Sequence, residues 1–307
     1  MSFILARDGT HLVREKWGFP AATREFQMPD VIDDIPDDDM DADADADADS
    51  DDHHEPYSLP YQRCPIKFGE LCSWGYFTHN EDADARVKKP FVFAHVPATL
   101  PVPPPKNGIN EVELRIQGFV ETRHLSRTGS WNGDPAAAAK AEQTLTLGPG
   151  RFSNVFNDQV TAIRSIGELG RVSLCPRNVN KGWNWMTRNG KIFFRRRVFG
   201  DYLRNFTQTS LDQCTNQKTV DGFVDKFVEI PLTKFCFRTD DGKIHNCTSK
   251  AIQVNDFVEV HAVVEVSLRN AASGVPRVQL TLRPTTIIKL GMTGRQAGEA
   301  AGSGAIV

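Results

Sequence analysis

The run DFVEVHAVVEVSL, residues 256–268, decides how the chain is read. Val258, Val260, Ala262, Val264 and Val266 occupy every second position, with Glu259, His261 and Glu265 between them. A period of two is the signature of a β-strand, and β-branched side chains suit its pleated surface. The valine face is predicted to meet the core and the Glu/His face to lie outermost, in half-buried geometry. A strand of this length needs a partner. RVQLTLRPTTIIKL, 277–290, follows after the turn-forming NAASGVP and is the expected hairpin mate, with Val278, Leu280 and Leu282 facing the core. Pro284 offers no N–H to a ladder, so an edge or a bend is expected there.

Upstream the same pattern recurs. VELRIQGFV, 112–120, alternates through Val112, Leu114 and Ile116. FVFAHV, 91–96, reads as a short strand stopped by LPVPPP, 100–105, a stiff connector. Lys191 to Phe199 is a strand behind the Asn189-Gly190 turn, a hairpin signal. FVDKFVEI, 223–230, and TKFCFR, 233–238, are two more, the second turning at Asp240-Asp241-Gly242 into KIHNCTS. One or two strands are expected between Phe152 and Ile166, and another at RVSLC, 171–175. AAAAKAEQ, 136–143, is the one good helix candidate. The expected fold is all-β or nearly so: an antiparallel barrel of the oligonucleotide-binding kind, or a β-sandwich.

Around this β-rich body, 57–290, which could comprise two units joined near 100–110, stand three other segments. Residues 1–28 form an arm or a short linear motif. Residues 291–307, rich in Gly, Ala and Ser, form a flexible tail. Asp30 to Glu55 contain 14 acids and no Lys or Arg, and the segment 29–56 is expected to be disordered. Such a run repels itself and buries too little apolar surface to offset its ordering entropy. The whole chain has a formal charge of -3, so without that strip it carries +11. A basic body points to an anionic partner, and the strip could compete for the same surface or recruit a basic protein. No membrane-spanning run and no apolar leader are apparent, so an intracellular protein, nuclear or cytoplasmic and not secreted, is expected. Its six cysteines, at 64, 72, 175, 214, 236 and 247, are then read as free thiols.

Arg171 to Arg204 carries nine Lys or Arg and a single acid, Asp201. Aromatic residues are threaded between the bases. Cations neutralise phosphate and flat rings stack on bases, so this mixture suits single-stranded DNA or RNA. Lys181, Arg188, Lys191, Arg195, Arg196, Arg197 and Arg204 are the candidate phosphate ligands. Trp183, Trp185, Phe193 and Tyr202 are the candidate stacking residues. On a strand Arg195 and Arg197 face one way and Arg196 the other. Three arginines cannot all enter a core, so at least one face must meet solvent or an anion. The competing readings are a surface strand with solvated arginines and a protein or assembly interface, such as a coat-like sandwich.

Other chemistry is sparse. No nucleotide loop, nucleophile elbow or HExxH helix occurs, so an enzyme is not the expected reading and no cofactor is implied. Cys236, His245 and Cys247, with Cys214 as a fourth, could be gathered by a hairpin into a zinc site. They lack a close CxxC pair, and Cys236 alternates with Phe235 and Phe237 as an ordinary strand cysteine would.

Overall fold

A computed structural model describes residues 2–4, 63–79, 91–96, 109–138, 140–174, 183–184, 186–199, 233–239, 243–270 and 276–291. The acidic strip, the connector at 100–105, residues 201–232 and the tail beyond Gly291 lie outside them. In chain order the elements are β1 (Ser2–Ile4), β2 (Arg63–Cys64), α1 (Phe68–Trp74), β3 (Gly75–His79), β4 (Phe91–His95), β5 (Glu113–His124), α2 (Pro135–Ala138) and β6 (Glu142–Gly148). Then follow α3 (Ser153–Leu174), β7 (Trp183–Asn184), β8 (Thr187–Arg188), β9 (Lys191–Arg197), β10 (Lys234–Arg238), β11 (Ile244–Asn246), β12 (Phe257–Asn270) and β13 (Pro276–Gly291). The protein is mostly β, and its strands join in one large sheet.

The alternating run at 256–268 becomes β12, and its predicted mate becomes β13. They pair antiparallel from Phe257↔Gly291 to Asn270↔Pro276. Pro284 faces Ala262 at a register shift, and there β13 changes its second neighbour from β9 to β10. A residue without an N–H fits a point where the ladder is interrupted. On its other edge β12 pairs with β5, from Phe257↔Phe119 to Val263↔Glu113. β5 pairs with β6 and β6 with β9, both antiparallel. β9 meets β13 in parallel at Leu282↔Phe194. The pairings β12–β5–β6–β9–β13 therefore return to β12.

The core lines the inward positions of these five strands. Leu114, Ile116, Val120, Leu145, Leu147, Ile192, Phe194, Val258, Val260, Val264, Leu280 and Leu282 are each at most 2% exposed. Removing such a side chain from water stabilises the fold by roughly 1.5–3 kcal/mol. Outside the ring, β3 and β4 extend the sheet past β12, β10 and β11 extend it past β13, and β1 lies parallel to β5.

Two helical assignments differ from the sequence reading. Where strands are expected at 152–166 and 171–175, the structure has the 22-residue helix α3, Ser153–Leu174. Its buried positions, among them Phe156, Val160, Ile163, Ile166 and Gly170, recur every three or four residues. Asn154, Asn157, Asp158, Gly167 and Gly170 are poor helix formers, which masks that spacing. Packing supplies the missing preference. The buried Phe156 ring lies so close to Gly118 that a Cβ there would meet it at 2.7 Å. Gln159 completes the edge of β5 by donating to the Gln117 carbonyl at 2.7 Å and accepting from its N–H at 2.8 Å.

Conversely, among the described residues the alanine-rich stretch is helical over Pro135–Ala138 alone, and strand begins at Glu142. β6 pairs on both edges, and one helical turn, with its costly nucleus, cannot match two ladders.

The Glu/His face of β12 is also buried more deeply than its alternation predicts. Glu259 is 1% exposed and His261 6%. Arg115 Nε donates to Glu259 at 2.8 Å, and Gln117 Nε2 donates at 2.6 Å. His261 Nε2 lies 3.0 Å from the same carboxylate. Burial alone would raise the Glu259 carboxyl. The His261 hydrogen bond, the Arg115 charge and the Gln117 amide outweigh it and hold the group down to about 2. Glu265, on the same face, forms an ion pair with Arg283.

Candidate nucleic-acid interface

β9 presents its residues as the sequence pattern implies. Ile192, Phe194, Arg196 and Val198 are buried, while Lys191, Phe193, Arg195 and Arg197 are half-buried on the other side. The strand begins at a tight turn in which Asn189 and Gly190 have φ of 51° and 70°. Two consecutive positive φ values fit a type I′ hairpin, whose twist matches that of the flanking strands. The hairpin pairs Arg188 with Lys191 and leaves Arg188 exposed.

Neighbouring strands complete the face. Thr146 lies opposite Phe193, Thr144 opposite Arg195 and Glu142 opposite Arg197. A register shift between Val120 and Thr122 puts Thr122 against Thr146, and the two hydroxyls hydrogen-bond at 2.8 Å. His124, opposite Thr144, is exposed at the end of β5. The result is a strip of small hydroxyl side chains flanked by one ring and several cations.

Two of the cations are held by carboxylates. Both oxygens of Glu142 accept from Arg195: Nε donates to Oε2 at 3.0 Å, and Nη2 donates to Oε1 at 2.7 Å and to Oε2 at 2.5 Å. Lys191 Nζ lies 2.5 Å from Glu121. These pairs hold the cations in place and reduce the net positive charge of the face.

Arg196 is set apart from its two neighbours. It is 4% exposed, on the inward side, and its Nη1 donates to the Thr233 hydroxyl at 3.4 Å. Gln143, its cross-strand partner, accepts from that hydroxyl at 3.1 Å. Phe199 also departs from simple alternation: it is 3% exposed and packs edge-on against Trp131 at 5.1 Å. Trp131 belongs to the loop between β5 and β6, and its indole N–H donates to the Asp134 carbonyl at 2.7 Å. Nothing in the local sequence pairs Trp131 with Phe199, because the contact depends on that loop folding back.

Trp183 lies in β7, which runs parallel to β13 with Trp183 opposite Gln279. β9 meets β13 at Leu282, so Trp183 is placed along the same edge of β13 as β9. Lys181, Trp185, Tyr202 and Arg204 lie outside the described residues.

The hairpin expected from TKFCFR, 233–238, into KIHNCTS, 243–249, forms as β10 and β11. Phe237 is opposite His245, and their rings stack at 5.3 Å. Cys236 is opposite Asn246, one position along, and its thiol lies 3.6 Å from Asn246 Oδ1. His245 and Cys236 thus fall on alternate faces of the hairpin. Burial raises both the Cys236 and Cys247 thiols, the second to about 11, and so keeps the sulfurs protonated at neutral pH. Among the described residues no group of three His, Cys, Asp or Glu side chains is placed to hold a metal ion, and Cys214 lies outside them. Among the described residues no helix is long and apolar enough to cross a membrane.

No protein-family model matches the chain, and a search of curated protein sequences likewise finds no match.

Proposed function

We propose that this protein binds single-stranded nucleic acid, DNA or RNA, on the outer face of β5, β6 and β9. One observation carries the proposal: alternation along β9 sends Ile192, Phe194 and Val198 inward and turns Lys191, Phe193, Arg195 and Arg197 toward the other side. Phe193 is the stacking residue, and the flanking cations with Arg188 are the phosphate ligands. Thr122, Thr144 and Thr146 keep the floor between them low and polar.

The fold reading that goes with this is a closed five-stranded barrel of the oligonucleotide-binding kind. The circuit of pairings supports it. Taken round the ring, β5, β6, β9, β13 and β12 are its first, second, third, fifth and fourth strands in chain order. Such barrels bind oligonucleotides on the face of their second and third strands, which here are β6 and β9. This part of the proposal rests on analogy of fold, so the binding measurement comes first. Fluorescence anisotropy on labelled thirty-nucleotide single strands, DNA and RNA, and on the matching duplex, at low and high salt, tests it. Binding to single strands with a steep salt dependence is expected. No binding at low salt would refute the proposal, and binding to duplex alone would refute the stacking role of Phe193.

A further inference from the structure

A second set of rings lies two strands away from Phe193. Phe119 on β5 is opposite Gly148 on β6. Its ring and that of Phe152 are stacked at 6.2 Å, with planes 2° apart, and Phe257 lies 5.1 Å from Phe119. The guanidinium carbon of Arg151 stands 5.1 Å from the centroid of Phe152. Arg151 is exposed, and Phe119 and Phe152 are half-buried at the rim of the core.

The turn after β6 is built to produce this contact. Gly150 has φ +52°, and a Cβ there would meet the Phe119 ring at 2.6 Å. Only glycine combines that backbone with that approach. The sequence feature is the GPGRF at 148–152, which has no meaning as a nucleotide loop.

The two aromatic positions share one surface. Phe193 is opposite Thr146, and Phe119 is opposite Gly148, two residues further along β6. Strand spacing and rise put them about 12 Å apart, two strands across and one same-face step along. Lys191, on the same strand as Phe193, reaches Glu121 on the strand that carries Phe119. That distance falls within a site of roughly 4–16 nucleotides.

We infer that Phe152, backed by Phe119 and accompanied by Arg151, is a second stacking station for the strand that Phe193 engages, so that the nucleic acid crosses β9, β6 and β5 in turn. The inference rests on the proposed function above. The rings are already held against one another, so a base stacks there with little further side-chain ordering. Arg151 adds a cation able to stack on a base or pair with the adjoining phosphate.

The test uses the full chain. A thirty-nucleotide oligothymidylate substituted with iodouracil is irradiated in complex, and the adducts are mapped by mass spectrometry. Anisotropy is measured beside it on Phe152→Leu, Phe152→Trp and Arg151→Ala. Adducts on Phe152 or Phe119 are expected. Phe152→Leu should weaken binding about tenfold with an unchanged salt slope, and Phe152→Trp should restore it. Arg151→Ala should lower the slope by about 0.7. Adducts confined to β9 and its hairpin, with Phe152→Leu binding like the unaltered chain, would overturn the second station and leave the β9 reading intact. Should Phe152→Leu melt early, the adduct map of the unaltered chain decides. An unaltered chain that captures no oligonucleotide at low salt would remove the β9 reading and this station together.

Discussion

Replacing Glu142 with Gln should tighten the binding of single-stranded nucleic acid. Glu142 grips the Arg195 guanidinium through both carboxylate oxygens, and the two side chains are only 21% and 29% exposed. A phosphate that reaches Arg195 must displace that carboxylate. Gln keeps the shape and one acceptor but removes the charge. The stability lost with a partly exposed pair is small, at most about 1 kcal/mol. The binding gain is larger. Each phosphate neutralised on a single strand contributes a salt slope of about −0.7, so one released cation is worth roughly eightfold at about 50 mM salt relative to about 1 M. The assay is anisotropy against a labelled thirty-nucleotide strand over a salt series, with melting curves on the same proteins. The slope should steepen by about 0.7, and the gain should vanish when Arg195→Ala is added to Glu142→Gln. A Glu142→Gln protein that melts normally yet binds no better would refute the assignment of Arg195 as a phosphate ligand. The Arg195–Glu142 pair would then be a structural staple of the β6–β9 ladder.

Three further outcomes are expected. Phe193→Leu keeps an apolar side chain without a ring and should cost about tenfold in affinity while leaving the salt slope unchanged; a changed slope with no loss at high salt would contradict stacking. Deleting Asp30 to Glu55 should tighten binding at low salt and make little difference at high salt, because screening weakens any contact between the strip and the basic face; equal low-salt affinities would leave the strip a solubilising role. Thermal stability should fall on acidification in two stages. Burial lowers His95, packed against Trp74 at 4.2 Å, from 6.5 to about 4. Its folded value lies below its unfolded one, so the neutral ring's contribution is complete above about 6.5 and is lost as the pH falls through about 4. Glu259, held at about 2, retains its contribution above the ordinary carboxylate range and loses it as the pH falls further through about 2. A melting temperature that stays level from neutral pH down to about 4 would show that His95 is not the group buried in its neutral form.

Some of this molecule is legible one residue at a time. The faces of β9 follow from Lys191-Ile-Phe-Phe-Arg-Arg-Arg by parity alone, and the start of the strand follows from Asn189-Gly190, which tolerate positive φ. The candidate site was legible to the same extent. Lys191, Phe193, Arg195 and Arg197 share a side as parity requires, whereas the carboxylates that hold Lys191 and Arg195 come from β5 and β6. No local rule links Glu121 to Lys191 or Phe119 to Phe152, because those pairs exist only once separate segments have docked.

The sequence by itself determined the strand character of β5, β9, β12 and β13, the β12–β13 hairpin and the side of β9 that carries the charge. These are local properties: a period of two, a turn dipeptide and a proline without an N–H. Tertiary structure alone decided the rest. The stretch Ser153–Leu174 is a helix because Phe156, Ile163 and Ile166 find a core to fill, which overrides its glycines and asparagines. Glu259 is buried because Arg115 and Gln117 arrive from a strand more than a hundred residues away to satisfy it. Strand identity is fixed by neighbours along the chain. Strand partners, and the burial of a charge between them, are fixed by contacts whose energy exists only after folding.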